Sequence, residues 1–272
     1  MLSVLMGCEA PPPDAPRQCN GSVELCDRRF DEVTLAGTHN SMSNAEDGWY
    51  VPAQPDGLRA QMEFGVRAML LDTYEVEGEA FFCHGTCALG SLAMVEGLTT
   101  VRDFLDDHPD EVMAFIMQDS ITFDQTAAAF TESGLHELVY PHPVGERWPT
   151  LGTMIENDRR LVVTAEAGGQ VDGWYQRAWS AYFDTPFEFT TAAEFSCDLN
   201  RGAETNDLFL VNHWVEDPFP DEAVAADVNE TDVLYPRAAA CASERHHVVN
   251  LLAVDWYTAG DLLNVVDSLN TR

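Results

Sequence analysis

The sequence predicts an α/β protein, a single (β/α)8 TIM-type barrel of irregular outline, and two observations carry that prediction. Seven apolar runs each stop abruptly on a group that can titrate, bind a metal or hydrogen-bond. That is how a buried parallel strand reads when it delivers a side chain to the rim of a barrel. The chain has 272 residues, 46% of them hydrophobic, enough for one large core. A barrel of this type takes ~250 residues, so one domain over residues 19–272 is expected.

The first run, residues 33–38, breaks at Gly37-Thr38 and gives way to His39, Asn40 and Ser41. Residues 66–71 end in Asp72, 80–83 in His84, and 112–117 in Gln118 and Asp119. Residues 161–165 end in Glu166, 208–211 in Asn212 and His213, and 249–254 in Asp255. The sixth strand must fall in the aromatic-rich stretch 168–194, and residues 179–183 are the best candidate. Helices are expected at 58–64, 99–108 (stopped by Pro109), 125–133, 150–157 and 259–269. Residues 44–57, with Gly48, Trp49, Tyr50, Pro52 and Pro55, read as a loop beside the barrel mouth. His108, His136 and His142 sit beside Pro or Gly and are expected to face solvent; His246 and His247 read as structural.

No apolar run approaches the ~18 residues that span a bilayer. The formal charge is −32, and all 14 basic residues are Arg. Such a surface repels phosphate backbones, so a nucleic-acid partner is not expected. It suits a salt-adapted or highly soluble exterior, and an anionic substrate would need an Arg or a bound cation inside the site. A monomer is expected. Leu5-Met6-Gly7-Cys8 resembles a bacterial lipobox whose Cys is lipidated, here behind a short, truncated signal. Residues 9–18 then form a Pro-rich tether. The other six cysteines pair by spacing as Cys19–Cys26, Cys83–Cys87 and Cys197–Cys241, which points to export. Zinc is the rival reading, weakened by the lack of any C-x-x-C pair.

G-x-S-x-G, H-E-x-x-H and G-x-x-x-x-G-K-[ST] are all absent. Two rim histidines remain, His39 and His84. Such a pair can cleave a phosphodiester, one taking a proton from the attacking hydroxyl and the other giving one to the leaving oxygen. Asp72 can hold a metal or orient a histidine. With Asn40 and Gln118 or Asp119 it makes a hard-oxygen set suited to Ca²⁺, or less well to Mg²⁺, completed by water and substrate. Only one of the neighbours Gln118 and Asp119 can face inward. Asp255 is a plausible partner for His39, Arg201 could reach the phosphate, and Asn212, His213 and Trp256 are further candidates for substrate contact.

Gly37-Thr38-His39-Asn40-Ser41, the Gly65–Asp72 stretch and Cys83-His84-Gly85 resemble the X-domain of phosphatidylinositol-specific phospholipase C. Residues 26–33, 160–163, 200–203 and 210–213, with Val254-Asp255, are similar to its secreted PLC-like phosphodiesterase branch. The resemblance covers about residues 19–270. It implies that His39 is the base activating an inositol 2-hydroxyl, that His84 is the general acid, and that Asn40 and Asp72 sit at Ca²⁺ positions. It also implies a cyclic phosphate product and release of diacylglycerol. The chain departs from the metal-dependent branch at Leu70 and Gln118, each replacing a Glu. It departs from the metal-free bacterial branch at Tyr74, which replaces an Arg. The sequence therefore predicts a phosphoric diester hydrolase of phospholipase C type acting on a phospholipid or phosphoinositol diester. The alternatives are a related phosphodiesterase for another headgroup and a surface-anchored binding module with an impaired site.

Overall fold

The computed structural model describes residues 16–143, 145–170 and 173–271. Cys8 and most of the Pro-rich tether lie outside the described residues.

Eight parallel strands form one curled sheet, in the order β7 (Tyr175–Arg177), β6 (Leu161–Ala165), β5 (Met113–Asp119), β2 (Ala68–Val76), β1 (Leu35–Thr38), β10 (Leu251–Val254), β9 (Leu208–His213) and β8 (Tyr182–Asp184). Among the described residues no ladder joins β7 to β8, so the barrel is open at that seam. Only a single turn, α5 (Ala178–Ala181), connects those two strands. The expected sixth strand is thus resolved into two short ones flanking that turn. The irregular barrel expected from the sequence is present.

The run at 80–83 is not a barrel strand. It forms β3 (Glu79–Cys83), antiparallel to the upper half of β2, and β4 (Ser91–Ala93) pairs antiparallel to β3. The reason is local. Glu77 and Gly78 both take positive φ (54° and 91°), making a two-residue turn that returns the chain at once. A parallel crossover needs a dozen or more residues.

Helices α1 (Leu58–Phe64), α2 (Met94–Asp107), α3 (Phe123–Glu132), α4 (Leu151–Glu156) and α8 (Leu262–Asn270) cover the five expected positions, with α2 starting a turn and a half early. Two more lie between β9 and β10: α6 (Glu222–Val228) and α7 (Thr231–Arg245). α7 holds Pro236 in its interior, a residue that removes one helical hydrogen bond and reads as a terminator.

The core has two layers. Met69, Leu71, Phe115, Met117, Phe209 and Val211 point from the sheet toward α2, α3, α7 and α8. Leu35, Ala68, Ala114, Ile116, Val162, Leu210 and Ala253 fill the barrel, over a floor of Phe30, Trp148 and Leu151. This period-two alternation decides which strand-end groups enter the site. It sends Asp72, Gln118, Glu166, Asn212 and Asp255 inward, and Asp119 and His213 outward. Disulfides Cys19–Cys26, Cys83–Cys87 and Cys197–Cys241 are formed as the spacing predicted. His142 does not face solvent; it is buried and stacks on Trp148 with ring centroids 3.7 Å apart.

Candidate active site

The carboxyl ends of β1, β2, β5 and β6 surround a small cavity of about 60 Å³, lined by His39, Asp72, Gln118, Glu166, Arg201 and Trp214 among others. His39 follows β1 directly. Its backbone N–H donates to the Val254 carbonyl at 2.9 Å, and its own carbonyl accepts from Gln54 Nε2 at 2.7 Å. The imidazole stacks on Trp214, with centroids 3.9 Å apart and planes within 4°. Its Nδ1 lies 2.9 Å from Asp255 Oδ1. With Asp255 as acceptor, Nδ1 carries the proton and Nε2 presents a lone pair to the cavity.

Asn40, in a left-handed conformation (φ 45°), turns its amide toward both histidines. Its Nδ2 is 2.9 Å from His39 Nε2 and 3.1 Å from His84 Nε2. One amide nitrogen donating to two imidazoles defines a point that both Nε2 atoms face. The ring centroids are 6.5 Å apart. His84 reaches this point from the connection after β3, inside the short loop closed by the Cys83–Cys87 bridge.

Burial lowers both imidazoles to about 4. For His39, Glu216 opposes the shift and Arg201 adds to it; for His84, His39 adds to it. Both rings are therefore neutral at pH 7 in the free site. Burial also raises Asp72 to about 7, with Glu166 contributing, and holds Asp255 well above the ordinary carboxylate range.

Arg201 is the cation of the cavity. Its Nε and Nη2 donate to Asp184 Oδ2 at 3.0 and 2.6 Å, and Nη1 to Glu166 Oε1 at 2.8 Å. The guanidinium lies over the rings of Trp179 (4.0 Å) and Phe187 (4.6 Å). Gly202 makes this loop possible: at φ 77° it packs where a Cβ would overlap the Tyr182 carbonyl.

His39, Asp72, Gln118 and Arg201 share the cavity, and Asn40, His84 and Asp255 adjoin it through His39. Asn212 and His213 do not reach it. Asn212 faces inward but is fully buried, its Nδ2 donating to Asp184 Oδ2 (3.1 Å) and the Thr185 carbonyl (2.6 Å). His213 faces outward, with Nε2 donating to the Val228 carbonyl at 2.8 Å and Nδ1 accepting from Arg237 at 3.0 Å. Trp256 braces the loop after β1 through its backbone N–H, which donates to the Ala53 carbonyl at 2.8 Å, and Trp214 is the tryptophan beside His39. Sequence reasoning missed Trp214, Asp184, Glu166 and Glu216 as site residues. The inward phase of β6 was the one available signal, and it points to Glu166.

A divalent cation has donors here. Asp72 and Gln118 are register partners on β2 and β5, and both line the cavity. Asp72 is buried beside Glu166 and its carboxyl makes no hydrogen bond to a described residue, which leaves it short of countercharge. That donor chemistry fits a hard cation.

The PI-PLC X family model (PI-PLC X 1) matches residues 25–270. The chain is 28% identical to PI-PLC X domain-containing protein 1 of Arthroderma benhamiae, over 93% of this chain and 89% of that one. It is 26% identical to an uncharacterized secreted protein of the same fungus, covering 93% of this chain and 63% of the relative. A PI-PLC X domain-containing protein of Arabidopsis thaliana is 24% identical, over 89% of this chain and 62% of its own length. Among solved structures, the phosphatidylinositol-specific phospholipase C of Listeria monocytogenes superposes with a TM-score of 0.60 at 17% identity, covering 90% of this chain and 94% of that one. A Staphylococcus aureus phosphatidylinositol-specific phospholipase C gives 0.59 at 15% identity, covering 91% and 94%. The disulfides and the secreted relative are consistent with export. From its fold and from the span of the match, the chain belongs to the PI-PLC X family.

Proposed function

We propose that this chain is a phosphoric diester hydrolase of phospholipase C type, cleaving a phosphoinositol-type diester by paired imidazole acid–base catalysis. The observation that supports it most is the convergence of His39 Nε2 and His84 Nε2 on one point, both within 3.1 Å of Asn40 Nδ2. His39 Nε2 takes the proton of a hydroxyl next to the phosphate as that oxygen attacks phosphorus. Asp255 fixes the productive tautomer and stabilises the imidazolium that forms. His84 Nε2–H protonates the departing oxygen of the lipid alcohol, leaving a cyclic phosphate. An anionic phosphate raises the depressed His84 imidazole toward its protonated state. Arg201, its planar fork fixed by Asp184 and Glu166, orients the phosphate oxygens. Ca²⁺ held by Asp72, Gln118 and the Asn40 carbonyl would supply added positive charge against the phosphate. A lipid anchor at Cys8 would place the chain at a membrane surface as an exported monomer.

A panel of phosphoinositol, glycerophospho- and choline diesters, assayed with and without chelator, tests the reading. Turnover of phosphoinositol diesters, lost in His39→Ala and His84→Ala variants that still fold, is expected. Wild-type inactivity on the whole panel would leave the binding-module reading, in which Asn40 keeps both Nε2 atoms capped as in the free site.

A further inference from the structure

Glu216 enters this neighbourhood from the loop after β9, its backbone fixed by an N–H donated to the Phe189 carbonyl at 3.0 Å. Its Oε1 lies 4.0 Å from His39 Nδ1, the same nitrogen that meets Asp255 Oδ1 at 2.9 Å. One ligand atom from each of His39, Asp255 and Glu216 falls within 4.8 Å of the others. Two oxygens of this group, Asp255 Oδ2 and Glu216 Oε1, are buried and accept no hydrogen bond from a described residue. The Asp255 side chain is only 3% exposed. An unsatisfied buried acceptor is unfavourable, and more so when charged. The nearby cation is already committed, because Arg201 donates to Asp184 and Glu166. The nook therefore carries more acid than it has positive charge to match.

We propose that His39 Nδ1, Asp255 and Glu216 form a binding site for a borderline divalent cation of the Zn²⁺ class, separate from the oxygen donors around Asp72. One imidazole nitrogen and two carboxylates, with a fourth position open to water, is a donor set that Zn²⁺ accepts and that Ca²⁺ and Mg²⁺ do not favour. Zinc ligands lie ~2.0–2.2 Å from the metal. The separations of 2.9 and 4.0 Å around Nδ1 bracket the spacing such ligands adopt, and a small inward swing of Glu216 closes the set. Glu216 can make that swing because its side chain is 35% exposed, which also gives the ion a route in.

The consequence of occupancy rests on the proposed function. A metal on Nδ1 displaces that proton, and the neutral ring then carries its single proton on Nε2. Any proton on either carboxyl passes to solvent. Nε2–H cannot accept a proton from the attacking hydroxyl, and it confronts the Asn40 NH₂ donor-to-donor. The ion silences the base without touching the phosphate cavity.

Calorimetric titration of the chelator-stripped full chain with Zn²⁺ tests the site without recourse to activity. Wild type is expected to bind one Zn²⁺ that is weakened in Glu216→Gln and in His39→Ala but not in Asp72→Asn. Loss of an outer-shell partner alone typically weakens a metal about 10–100-fold, so loss of a ligand should weaken it at least as much. Absence of a Zn²⁺ isotherm, or one indifferent to both Glu216→Gln and His39→Ala, overturns the proposal. Should Glu216→Gln fail to fold, His39→Ala decides. Zn²⁺ binding of the expected pattern in a protein that turns over no diester would leave this site standing and remove the phosphodiesterase reading. Turnover with Zn²⁺ binding indifferent to these variants would do the reverse.

Discussion

The two ends of the barrel treat charge in opposite ways. At the amino ends of β1, β2 and β5 lies a cavity of about 560 Å³, walled in part by α8. Its half-buried charges, Arg67 and Glu111, are matched, and the other acids on its lining, Glu24, Glu63 and Asp267, are exposed to solvent. Arg67 Nε donates to Glu111 at 2.6 Å, Nη1 donates to the Met62 and Val66 carbonyls, and the guanidinium lies 5.0 Å from the Phe104 ring centre. At the carboxyl ends the cavity holds only about 60 Å³, yet the acids Asp72 and Glu166 line it, and Asp255 and Glu216 sit close behind His39. Burial pushes the carboxyls of all four upward. Folding on its own tends to pair or avoid such groups. The end that tolerates them is the end arranged for a ligand, and cavity size does not reveal it.

The sharpest way to break this contrast is to delete the histidines. His39→Ala or His84→Ala should each lower kcat/KM for a phosphoinositol diester by ~10²–10⁴-fold with little change in Tm. Arg67→Ala, at the opposite end, should leave kcat/KM within about twofold while lowering stability by ~1–3 kcal/mol, as a half-buried carboxylate and two carbonyls lose their donor.

Arg201 should behave as a hybrid of the two ends, because it is a matched charge inside the reactive end. Arg201→Ala strands the fully buried Asp184, so a loss of ~3–5 kcal/mol in denaturant unfolding is expected along with loss of turnover. A variant that keeps wild-type stability would show that Asp184 is satisfied by Asn212 and the Arg201 backbone N–H without the guanidinium.

A smaller effect sharpens the comparison through pH. A carboxyl raised on folding stabilises the fold fully below its unfolded value, and that contribution is lost as pH rises toward its folded one. For Asp72 the window runs from the ordinary carboxylate range to about 7. Asp72→Asn should therefore be more stable than wild type at pH 8, by on the order of 2–4 kcal/mol, with the gap closing by pH 4. Equal Tm values at pH 8 in chelator would mean that Asp72 ionises there without penalty.

Much of this was legible in the sequence, and the failures share a cause. β1, β2, β5, β6, β9 and β10 are buried on both faces, so they read as near-continuous apolar runs whose last residues name the rim. Two-residue periodicity then separates Gln118 from Asp119 and Asn212 from His213. The hairpin at β3 was readable in principle from Glu77-Gly78, but an apolar run of strand length outweighs a turn signal that short. α7 was hidden by Pro236. Trp214 and Glu216 could not be found from local pattern, because the loop after β9 brings them to His39 only once the barrel has curled, and Asp184, at the end of β8, joins the site through Arg201 of the loop that follows. Trp256 was a candidate for substrate contact and Trp214 was not, and nothing in the local sequence says which ring faces the imidazole.

The central claim, that two imidazoles share one phosphorus with opposite proton duties, is tested most directly by varying the leaving group. Each histidine variant would be assayed on a phosphoinositol diester of an aliphatic alcohol and on one of p-nitrophenol, whose departure needs no proton. His84→Ala should lose most of its rate on the alkyl ester and recover on the aryl ester, while His39→Ala stays impaired on both. Equal losses in the two variants on both esters would contradict the assignment of base and acid.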